Sequence, residues 1–304
     1  MALGLVTVFG GSGFVGSAIV ERLAREGADV RIAVRHPERV RAAATSNRGG
    51  RIMPVRADVW EKDSIPPAVA GADAVVNTVG HYVARGQRTF KAIHGQGARH
   101  VAKAAASAGV RRLVHISGIG ADSASPSPYV RARAIGEQYV RAAYPEATIL
   151  RPSVIFGPDD AFFNLLARLA RVLPVLPLFG TGATRLQPVY VCDVAEAVAQ
   201  ALVRPEAAGR TYELGGPRTY SYREILKLIL RQTGRRCLLL PLPFLIWDAL
   251  AALLSPLPKP PISRDQVTLM KADNVVGTDV GTLRDLGITP TPVEAILPAY
   301  LKRH

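Results

Sequence analysis

The chain has 304 residues, 48% of them hydrophobic and 20% charged, which is typical of a globular protein with a large core. Its two cysteines, Cys192 and Cys237, have no ligand-like spacing and argue against a zinc site and a disulfide framework, so we expect no metal. The net charge is +14, but no basic tract or nucleic-acid motif stands out, which favours anionic cofactors or acidic surfaces over nucleic acid. The first residues lack the features of a signal peptide, so we expect a cytoplasmic protein.

An apolar, β-branched run and spaced glycines occupy residues 5–16, which read Leu-Val-Thr-Val-Phe-Gly-Gly-Ser-Gly-Phe-Val-Gly. A helical pattern follows, so the order is strand, glycine turn and helix, as in a dinucleotide-binding βαβ unit. In such a unit Gly10 permits the tight turn, Gly13 lets the backbone approach a pyrophosphate, and Gly16 lets helix and strand pack closely. We predict cofactor contacts from the whole loop and the first helical turn, namely Gly10, Gly11, Ser12, Gly13, Phe14, Val15 and Gly16.

Predicted strands alternate with predicted helices through the first half of the chain. The strands are expected at residues 28–34, 51–56, 73–76, 112–116 and 147–150, and the helices at residues 64–70, 89–108 and 129–143. This alternation indicates an α/β fold with a doubly wound parallel Rossmann sheet. We expect residues 1–152 to form the cofactor-binding core, and residues 153–304 to form a smaller mixed C-terminal lobe interwoven with it.

Proline and glycine become frequent after Pro152, and the most apolar segment of the chain follows at residues 237–257. Its prolines and Asp248 exclude a simple transmembrane helix. One interpretation is a strand followed by a helix that is buried or covered by a partner. The other is a helix at a membrane surface, with Phe244 and Trp247 on its apolar face.

The second predicted strand ends at Arg35, where an NAD-specific protein normally presents an acidic residue to the ribose hydroxyls. The next residues read His36-Pro-Glu-Arg39 and add positive charge. Guanidinium groups suit a phosphate dianion, which favours NADP(H) over NAD(H) and assigns Arg35, His36 and Arg39 to the cofactor. The alternative is a solvated arginine in a basic loop.

Further candidate residues follow the third and fourth predicted strands, where ligands of an open α/β sheet bind. Asp58, next to Val59, is expected either to accept a hydrogen bond from the adenine amino group or to close a turn. The path from the ribose to the nicotinamide is expected to be lined by Asn77, Thr78, Val79 and Gly80.

The fifth predicted strand ends at Ser117, and the next helix is expected to carry Tyr129-Val-Arg-Ala-Arg133. Here the chain resembles the extended short-chain dehydrogenase/reductase superfamily, whose active site combines a serine with Tyr-x-x-x-Lys. The resemblance implies that Tyr129 is the acid/base and that Ser117 polarises the substrate oxygen. Arg133 stands where the family has the lysine that lowers the tyrosine pKa and holds the ribose, so Tyr129 and Arg133 would also contact the cofactor. Arginine cannot release a proton, which argues against vigorous catalysis.

Blocks of sequence further along the chain narrow the resemblance; they lie at residues 147–158, 159–164, 187–195 and 263–274. They look like the atypical branch of the superfamily that contains the nucleotide-binding accessory subunit of respiratory complex I and its bacterial relatives. The similarity runs through nearly the whole chain. In that family a tightly bound NADPH serves structure, and the segment beside the nicotinamide ring corresponds here to Pro152, Ser153 and Val154.

Two functional hypotheses follow. The first is a binding or assembly protein with weak or no turnover, in which NADP(H) stabilises the core and the basic, partly apolar lobe docks on respiratory complex I or an anionic membrane surface. Such a protein would be cytoplasmic or peripheral at the inner face of the membrane. The second is an NADPH-dependent reductase or epimerase that uses Ser117, Tyr129 and Arg133 on a carbonyl, hydroxyl or quinone-like substrate. The arginine at position 133 and the downstream blocks favour the first.

Overall fold

The computed structural model of the protein describes residues 3–40, 49–80, 89–257 and 260–301. The strands of these residues are β1 (Leu5–Phe9), β2 (Asp29–Val34), β3 (Ile52–Arg56), β4 (Ala74–Asn77), β5 (Arg112–Ile116), β6 (Thr148–Pro152), β7 (Ile155–Phe156), β8 (Val175–Phe179), β9 (Arg185–Leu186), β10 (Val189–Tyr190), β11 (Thr211–Leu214), β12 (Tyr220–Ser221) and β13 (Leu238–Leu242). The α-helices are α1 (Phe14–Arg25), α2 (Ile65–Val69), α3 (Ala98–Ser107), α4 (Pro128–Ala143), α5 (Phe162–Val172), α6 (Val191–Val203), α7 (Tyr222–Thr233), α8 (Phe244–Leu253), α9 (Arg264–Leu269) and α10 (Val293–Leu301).

The chain divides into two compact units. Unit 1 comprises Met1–Pro152, Val191–Leu214 and Thr278–Thr289, and unit 2 comprises Ser153–Tyr190, Gly215–Gly277 and Pro290–His304. The sequence analysis expects residues 153–304 to form a smaller lobe interwoven with the core. In the structure two later segments belong to unit 1, where α6 packs against α1 and β11 pairs with β6.

Unit 1 contains a seven-stranded sheet in the order β11–β6–β5–β4–β1–β2–β3, and every pair in it is parallel. The chain proceeds outwards from β1 through β2 and β3 on one side, and through β4, β5, β6 and β11 on the other. This order confirms the predicted doubly wound Rossmann sheet. Ligands of such sheets bind beyond the carboxyl ends of the strands where the order reverses, which here is between β1 and β4.

The central strands of unit 1 are buried, as a parallel sheet between two layers of helices requires. Val6, Val8 and Phe9 in β1 have no exposed surface. Phe9 shares one apolar cluster with Val101 and Ala105 of α3. The small alanine side chains of α3 let that helix pack close to the sheet.

The predicted helix at residues 89–108 is not α-helical throughout, because Lys91–Gly97 forms a π-helix before α3 begins. Helix α4 approaches this stretch very closely: a Cβ on Gly136 would lie 2.1 Å from the carbonyl oxygen of His94. Glycine at position 136 therefore permits the contact. π-Helical turns are rare and often mark functional sites, and this one brings His94 next to α4.

Unit 2 is built on three two-stranded sheets: β7–β10 and β8–β13 are parallel, and β9–β12 is antiparallel. Its core contains Phe156, Phe163 and Leu178, packed with side chains from α7 and α10. Asp160 is buried beside this core and accepts hydrogen bonds from the Phe163 backbone N–H at 2.6 Å and from the Tyr300 hydroxyl at 2.8 Å. Burial raises the pKa of Asp160 although these hydrogen bonds oppose the shift.

The apolar segment at residues 237–257 forms β13 and α8. Helix α8 turns Trp247 inwards, where its indole N–H donates to the Leu178 carbonyl at 2.9 Å and its ring packs on Phe179. Phe244 is half-buried in the same cluster. Of the two interpretations of this segment, the one that places Phe244 and Trp247 on an outward apolar face does not hold, because both rings pack inside unit 2. Among the described residues, no helix has both the length and the apolar character needed to cross a bilayer.

Candidate functional site

The turn between β1 and α1 has the geometry that its glycines predict. Gly10 has a φ of +77°, a left-handed conformation that favours glycine. A Cβ on Gly16 would lie 2.1 Å from the Gly10 carbonyl oxygen, so only glycine lets α1 start against the turn. A Cβ on Gly13 would meet only that oxygen, at 3.4 Å, and would otherwise face open space. Gly13 is also the N-cap of α1 and leaves it without a side-chain cap, so the helix N-terminus can receive a diphosphate there.

Three exposed basic residues follow β2, namely Arg35, His36 and Arg39. The Gly10 N–H donates to the Ala33 carbonyl at 3.1 Å, which places the end of β2 next to the glycine turn. His36 Nδ1 lies 3.2 Å from a Glu38 carboxylate oxygen, whereas Arg35 forms no hydrogen bond or ion pair with the described part of the chain. The Arg35 guanidinium, close to the turn, is therefore available to bind an anionic ligand.

Asp58 is buried just after β3. One of its carboxylate oxygens accepts the Trp60 backbone N–H at 3.0 Å, and its own N–H donates to the Ser64 hydroxyl at 2.9 Å. Asp58 thus closes a turn, which is one of the two roles expected for it. Contact of Asp58 and Val59 with an adenine stays a prediction.

The residues after β4 lie beside the glycine turn, because the Thr78 N–H and hydroxyl both donate to the Phe9 carbonyl, at 3.0 and 2.8 Å. The Asn77 side chain is buried, and its oxygen accepts the Val79 N–H at 3.1 Å. These bonds hold the segment in place and leave Gly80 exposed at its end. Cofactor contacts from the four residues stay a prediction.

The structure brings Ser117, Tyr129 and Arg133 together at the carboxyl end of β5. Tyr129 and Arg133 are one turn apart on α4, and the Arg133 guanidinium carbon lies 4.8 Å from the centre of the Tyr129 ring, a cation–π contact. Gly118 follows Ser117 and lies against the same guanidinium: a Cβ on it would be 2.9 Å from the Arg133 Nη1 atom. Glycine at position 118 therefore makes room for an arginine in this site.

The Ser117 hydroxyl is buried and has no hydrogen-bond partner among the described residues. Leaving a buried hydroxyl without a partner costs free energy, and such groups in folded proteins call for an explanation. A bound molecule with an oxygen near the end of β5 would satisfy it. Contact of Ser117 with a substrate oxygen stays a prediction.

Two aromatic side chains that the sequence did not single out pack edge-on against the Tyr129 ring. The ring centres of Phe90 and His94 lie 5.6 and 5.2 Å from that of Tyr129, with interplanar angles of 74° and 88°. Together with Arg133 they restrict the orientation of the tyrosine. Their spacing of four residues on a predicted helix indicates a shared face, but nothing in the sequence indicates that this face meets Tyr129.

A second histidine lies next to the site. His115 in β5 is paired with Asn77 in β4, whose amide nitrogen lies 3.3 Å from the His115 Nδ1 atom. Because an amide nitrogen can only donate, Nδ1 accepts and the ring proton is assigned to Nε2. Burial and the positive charge of Arg133 lower the pKa of His115 to about 3. The ring is therefore neutral at pH 7 and adds no second charge beside Arg133.

A largely buried ion-pair network holds α4 against the sheet. Arg151 in β6 donates to both carboxylate oxygens of Glu137, at 3.0 and 2.7 Å, and lies 3.5 Å from Glu213 in β11. The hydrogen bonds to Glu137 raise the pKa of Arg151. Glu137 is one turn after Arg133 and two turns after Tyr129. The bidentate pair therefore anchors the helix that carries both site residues.

The three residues expected beside a nicotinamide ring lie at the change from unit 1 to unit 2. Pro152 ends β6, and its carbonyl accepts the Ile119 N–H at 3.2 Å. The Ser153 hydroxyl is committed to Asn274, with its oxygen 2.6 Å from the Asn274 Oδ1 atom. Val154 is partly buried against the core of unit 2. Their contact with a cofactor stays a prediction.

The strand order, the glycine turn after β1 and the Ser117, Tyr129 and Arg133 set define a dinucleotide-binding protein of the short-chain dehydrogenase/reductase class. No group of three or more His, Cys, Asp or Glu side chains within the described ranges is arranged to hold a metal ion. Residues 6–215 match the family described as the NAD dependent epimerase/dehydratase family. The chain belongs to this family.

Two relatives and one solved structure illustrate the similarity. The chain is 35% identical over 304 residues to NADH dehydrogenase (ubiquinone) 1 alpha subcomplex subunit 9, mitochondrial, of Mus musculus, covering 99% of this chain and 80% of that protein. It is 32% identical over 248 residues to a ceramide reductase of Caulobacter vibrioides, covering 80% and 74%. A solved structure of DesIV, a dTDP-glucose 4,6-dehydratase from Streptomyces venezuelae with NAD and TYD bound, is 22% identical with a TM-score of 0.75, covering 98% and 96%. The resemblance to the superfamily and to the complex I accessory subunit is confirmed.

Proposed function

We propose that this protein binds NADP(H) in unit 1 and acts as an accessory or assembly component of a respiratory complex, with weak or no turnover of the nucleotide. The observation that carries the proposal is the stacking of Arg133 on Tyr129, with Gly118 making room for it.

The glycine turn fits a dinucleotide because Gly13 has no side chain, and the open space that a Cβ would fill is free for a pyrophosphate to approach the backbone. The N-terminus of α1 would hold the pyrophosphate, and Arg35 would hold the 2′-phosphate that distinguishes NADP(H) from NAD(H). His36 and Arg39 add positive charge nearby. A carboxylate in this position, as NAD-specific proteins have, would repel that phosphate. When bound, the nicotinamide would supply hydride chemistry, and the residues of this chain decide whether it is used.

Arg133 supports weak turnover. A lysine ammonium is a compact group that changes its protonation state readily, whereas a guanidinium stays charged and spreads its donors over a plane. Here that plane lies over the Tyr129 ring, 4.8 Å from its centre. Arg133 can therefore act as a fixed positive charge that holds the tyrosine and a ribose, but it cannot release a proton during the reaction.

The proposed partner is respiratory complex I or a bacterial equivalent of it. The mouse relative is by name a subunit of NADH dehydrogenase (ubiquinone), and the alignment with it spans 99% of this chain. The net charge of +14 favours association with acidic protein or lipid surfaces. We place the protein on the cytoplasmic side, peripheral at the inner face of the membrane.

The second candidate is an active NADPH-dependent reductase or epimerase, and the Ser117 hydroxyl favours it. This buried group has no partner among the described residues and would polarise a carbonyl or hydroxyl oxygen of a substrate. Tyr129 would transfer the proton. The Caulobacter relative is a reductase by name, which supports a carbonyl, hydroxyl or quinone-like substrate.

NADPH oxidation with a panel of aldehydes, ketones and short-chain quinones distinguishes the two candidates. General acid catalysis typically contributes about 10²–10⁴-fold to a rate, so removal of a working Tyr129 hydroxyl is readily detected. We expect the wild-type rate to match that of Tyr129→Phe, and Arg133→Lys to raise it. A wild-type rate on the order of a hundredfold above that of Tyr129→Phe would establish the reductase instead.

A further inference from the structure

Helix α8 is apolar on its outer side as well as its inner side. At about 100° per residue, Trp247 and Ala251 fall on one side of the helix, and both are buried. The opposite side consists of Leu245, Ile246, Ala249 and Leu253, and Leu250, which is 37% exposed, lies between the two sides. Leu245 and Leu253 are 80% and 75% exposed. The one charged residue of the helix, Asp248, forms an ion pair with Lys271 at 2.8 Å.

The strand before α8 extends this apolar side. Leu238 and Leu240 of β13 are both exposed, and β13 pairs with β8. The Trp247 indole donates to a carbonyl of β8, which ties α8 to the same two strands. We call the following residues the apolar surface: Leu238, Leu240, Leu245, Ile246, Leu250 and Leu253. Exposed apolar patches of this kind usually mark an interaction site.

Positive charge borders the apolar surface. Arg231, Arg235 and Arg236 are exposed just before β13, and none of them forms an ion pair with a described residue. Residues 227–257 contain four basic side chains and one acidic side chain. That acidic side chain, Asp248, is already paired. An apolar surface edged by unpaired arginines complements lipid acyl chains beneath anionic headgroups.

We propose that the apolar surface of unit 2 inserts into the headgroup region of a bilayer that contains anionic phospholipids. The leucines lie at the acyl boundary, and the three arginines contact lipid phosphates. Helix α8 has ten residues and is about 15 Å long, half the thickness of the hydrocarbon core, so it lies in the interface and does not span it. This inference deepens the docking part of the proposed function and is independent of nucleotide binding.

Co-flotation of the full-length protein with vesicles tests the proposal. One set of vesicles is phosphatidylcholine and the other is phosphatidylcholine mixed with phosphatidylglycerol. We expect flotation with the anionic set, and a partition coefficient lowered roughly tenfold or more in the double variant Leu245→Gln/Leu253→Gln, because burying one leucine is worth more than one decade. Both side chains are exposed, so the variant should keep its Tm and NADPH affinity. The control is Val203→Gln, an exposed apolar residue of unit 1, which should float like the wild type.

The charge is tested by Arg235→Gln/Arg236→Gln, which should weaken flotation with the anionic vesicles and reduce its sensitivity to salt. Three results would overturn the proposal: no flotation with either set of vesicles, equal flotation with both, or a wild-type dimer that the leucine variant dissociates, because a second copy would then cover the surface. Loss of flotation with intact NADPH binding rejects the docking alone. Intact flotation without nucleotide binding rejects the cofactor assignment alone.

Discussion

Alanine at Gly16 tests the structural role of the glycine turn. The added Cβ would lie 2.1 Å from the Gly10 carbonyl oxygen and 2.8 Å from the Gly11 Cα, both backbone atoms that cannot rotate away. Reaching an ordinary contact distance requires α1 and the turn to separate by about 1 Å. Overpacking of this kind costs about 1–3 kcal/mol, and removing a helical glycine returns under about 1 kcal/mol. We expect Gly16→Ala to lower the free energy of unfolding by roughly 1–2 kcal/mol and the Tm by roughly 2–8 °C.

Alanine at Gly13 tests the binding role of the same turn and is the matched control. The backbone there has φ −82° and ψ 171°, which alanine adopts freely, and the nearest atom to the new Cβ is 3.4 Å away. Alanine is a poorer N-cap than glycine, but it also lowers the entropy of the unfolded chain, which stabilises by about 0.4–1 kcal/mol. The two effects oppose each other, so the stability should change by no more than about 0.5 kcal/mol. The methyl group would occupy the space through which a pyrophosphate approaches the backbone, so NADPH affinity should fall by roughly tenfold or more.

Thermal unfolding followed by circular dichroism and calorimetric titration with NADPH measure both effects. We expect Gly16→Ala to lower the stability of the protein, and Gly13→Ala to weaken NADPH binding alone. If Gly13→Ala bound NADPH as tightly as the wild type, the turn would not be the pyrophosphate site. If Gly16→Ala kept the wild-type Tm, the close approach of α1 to the turn would be refuted.

Two further substitutions test charges in unit 1. Arg35→Glu should weaken NADPH binding roughly ten- to a hundredfold, because a charge-assisted hydrogen bond is worth about 1.5–3 kcal/mol. NADH binding should stay unchanged or become stronger. Equal losses of affinity in titrations with both nucleotides would contradict the assignment of Arg35 to the 2′-phosphate. His115→Asn should flatten the dependence of stability on pH below about 6.5, since the pKa of His115 in the folded protein is about 3 and an unfolded histidine takes up its proton near pH ~6.5. The wild type should therefore lose stability as the pH falls, and at pH ~5 the loss from His115 should be roughly 2 kcal/mol. If the Tm of the two proteins changed in parallel between pH ~7 and ~5, the conclusion that His115 is buried and neutral would be wrong.

The strands of unit 1 could be predicted from sequence because each is a short apolar run that ends in polar or glycine residues. Strand β5 lies at the predicted residues 112–116, β2 and β3 each begin one residue later than predicted, and β4 is shifted by one residue. Strand β6 begins one residue later and ends two residues later than predicted. The interweaving of the later residues with the core is expected from the sequence, but the pairing of β11 with β6 could not be predicted, because pairing between strands that are distant in the chain leaves no local pattern.

The outward side of α8 could not be read from the sequence. A hydrophobic pattern identifies the inner face of a helix only when the other face is polar, and α8 carries apolar residues on both. The large rings of Phe244 and Trp247 suggested a membrane face. Their contacts with Phe179, in a strand far away in sequence, decide the orientation.

The residue types of the candidate site could be predicted, whereas its geometry could not. Ser117, Tyr129 and Arg133 follow from the ends of predicted elements and a family pattern. The fit of Arg133 against Gly118, and the π-helix that brings His94 onto the tyrosine ring, depend on contacts between segments that no local propensity encodes.

The central proposal is that the protein binds NADP(H) tightly and oxidises or reduces it slowly or not at all. The most direct test is to denature the protein as purified from its cells and to identify the released nucleotide, with its redox state, by mass spectrometry and absorbance. We expect NADP(H) in the reduced form, which stays reduced while the protein is intact. Release of NAD(H) would contradict both the role of Arg35 and the proposed function.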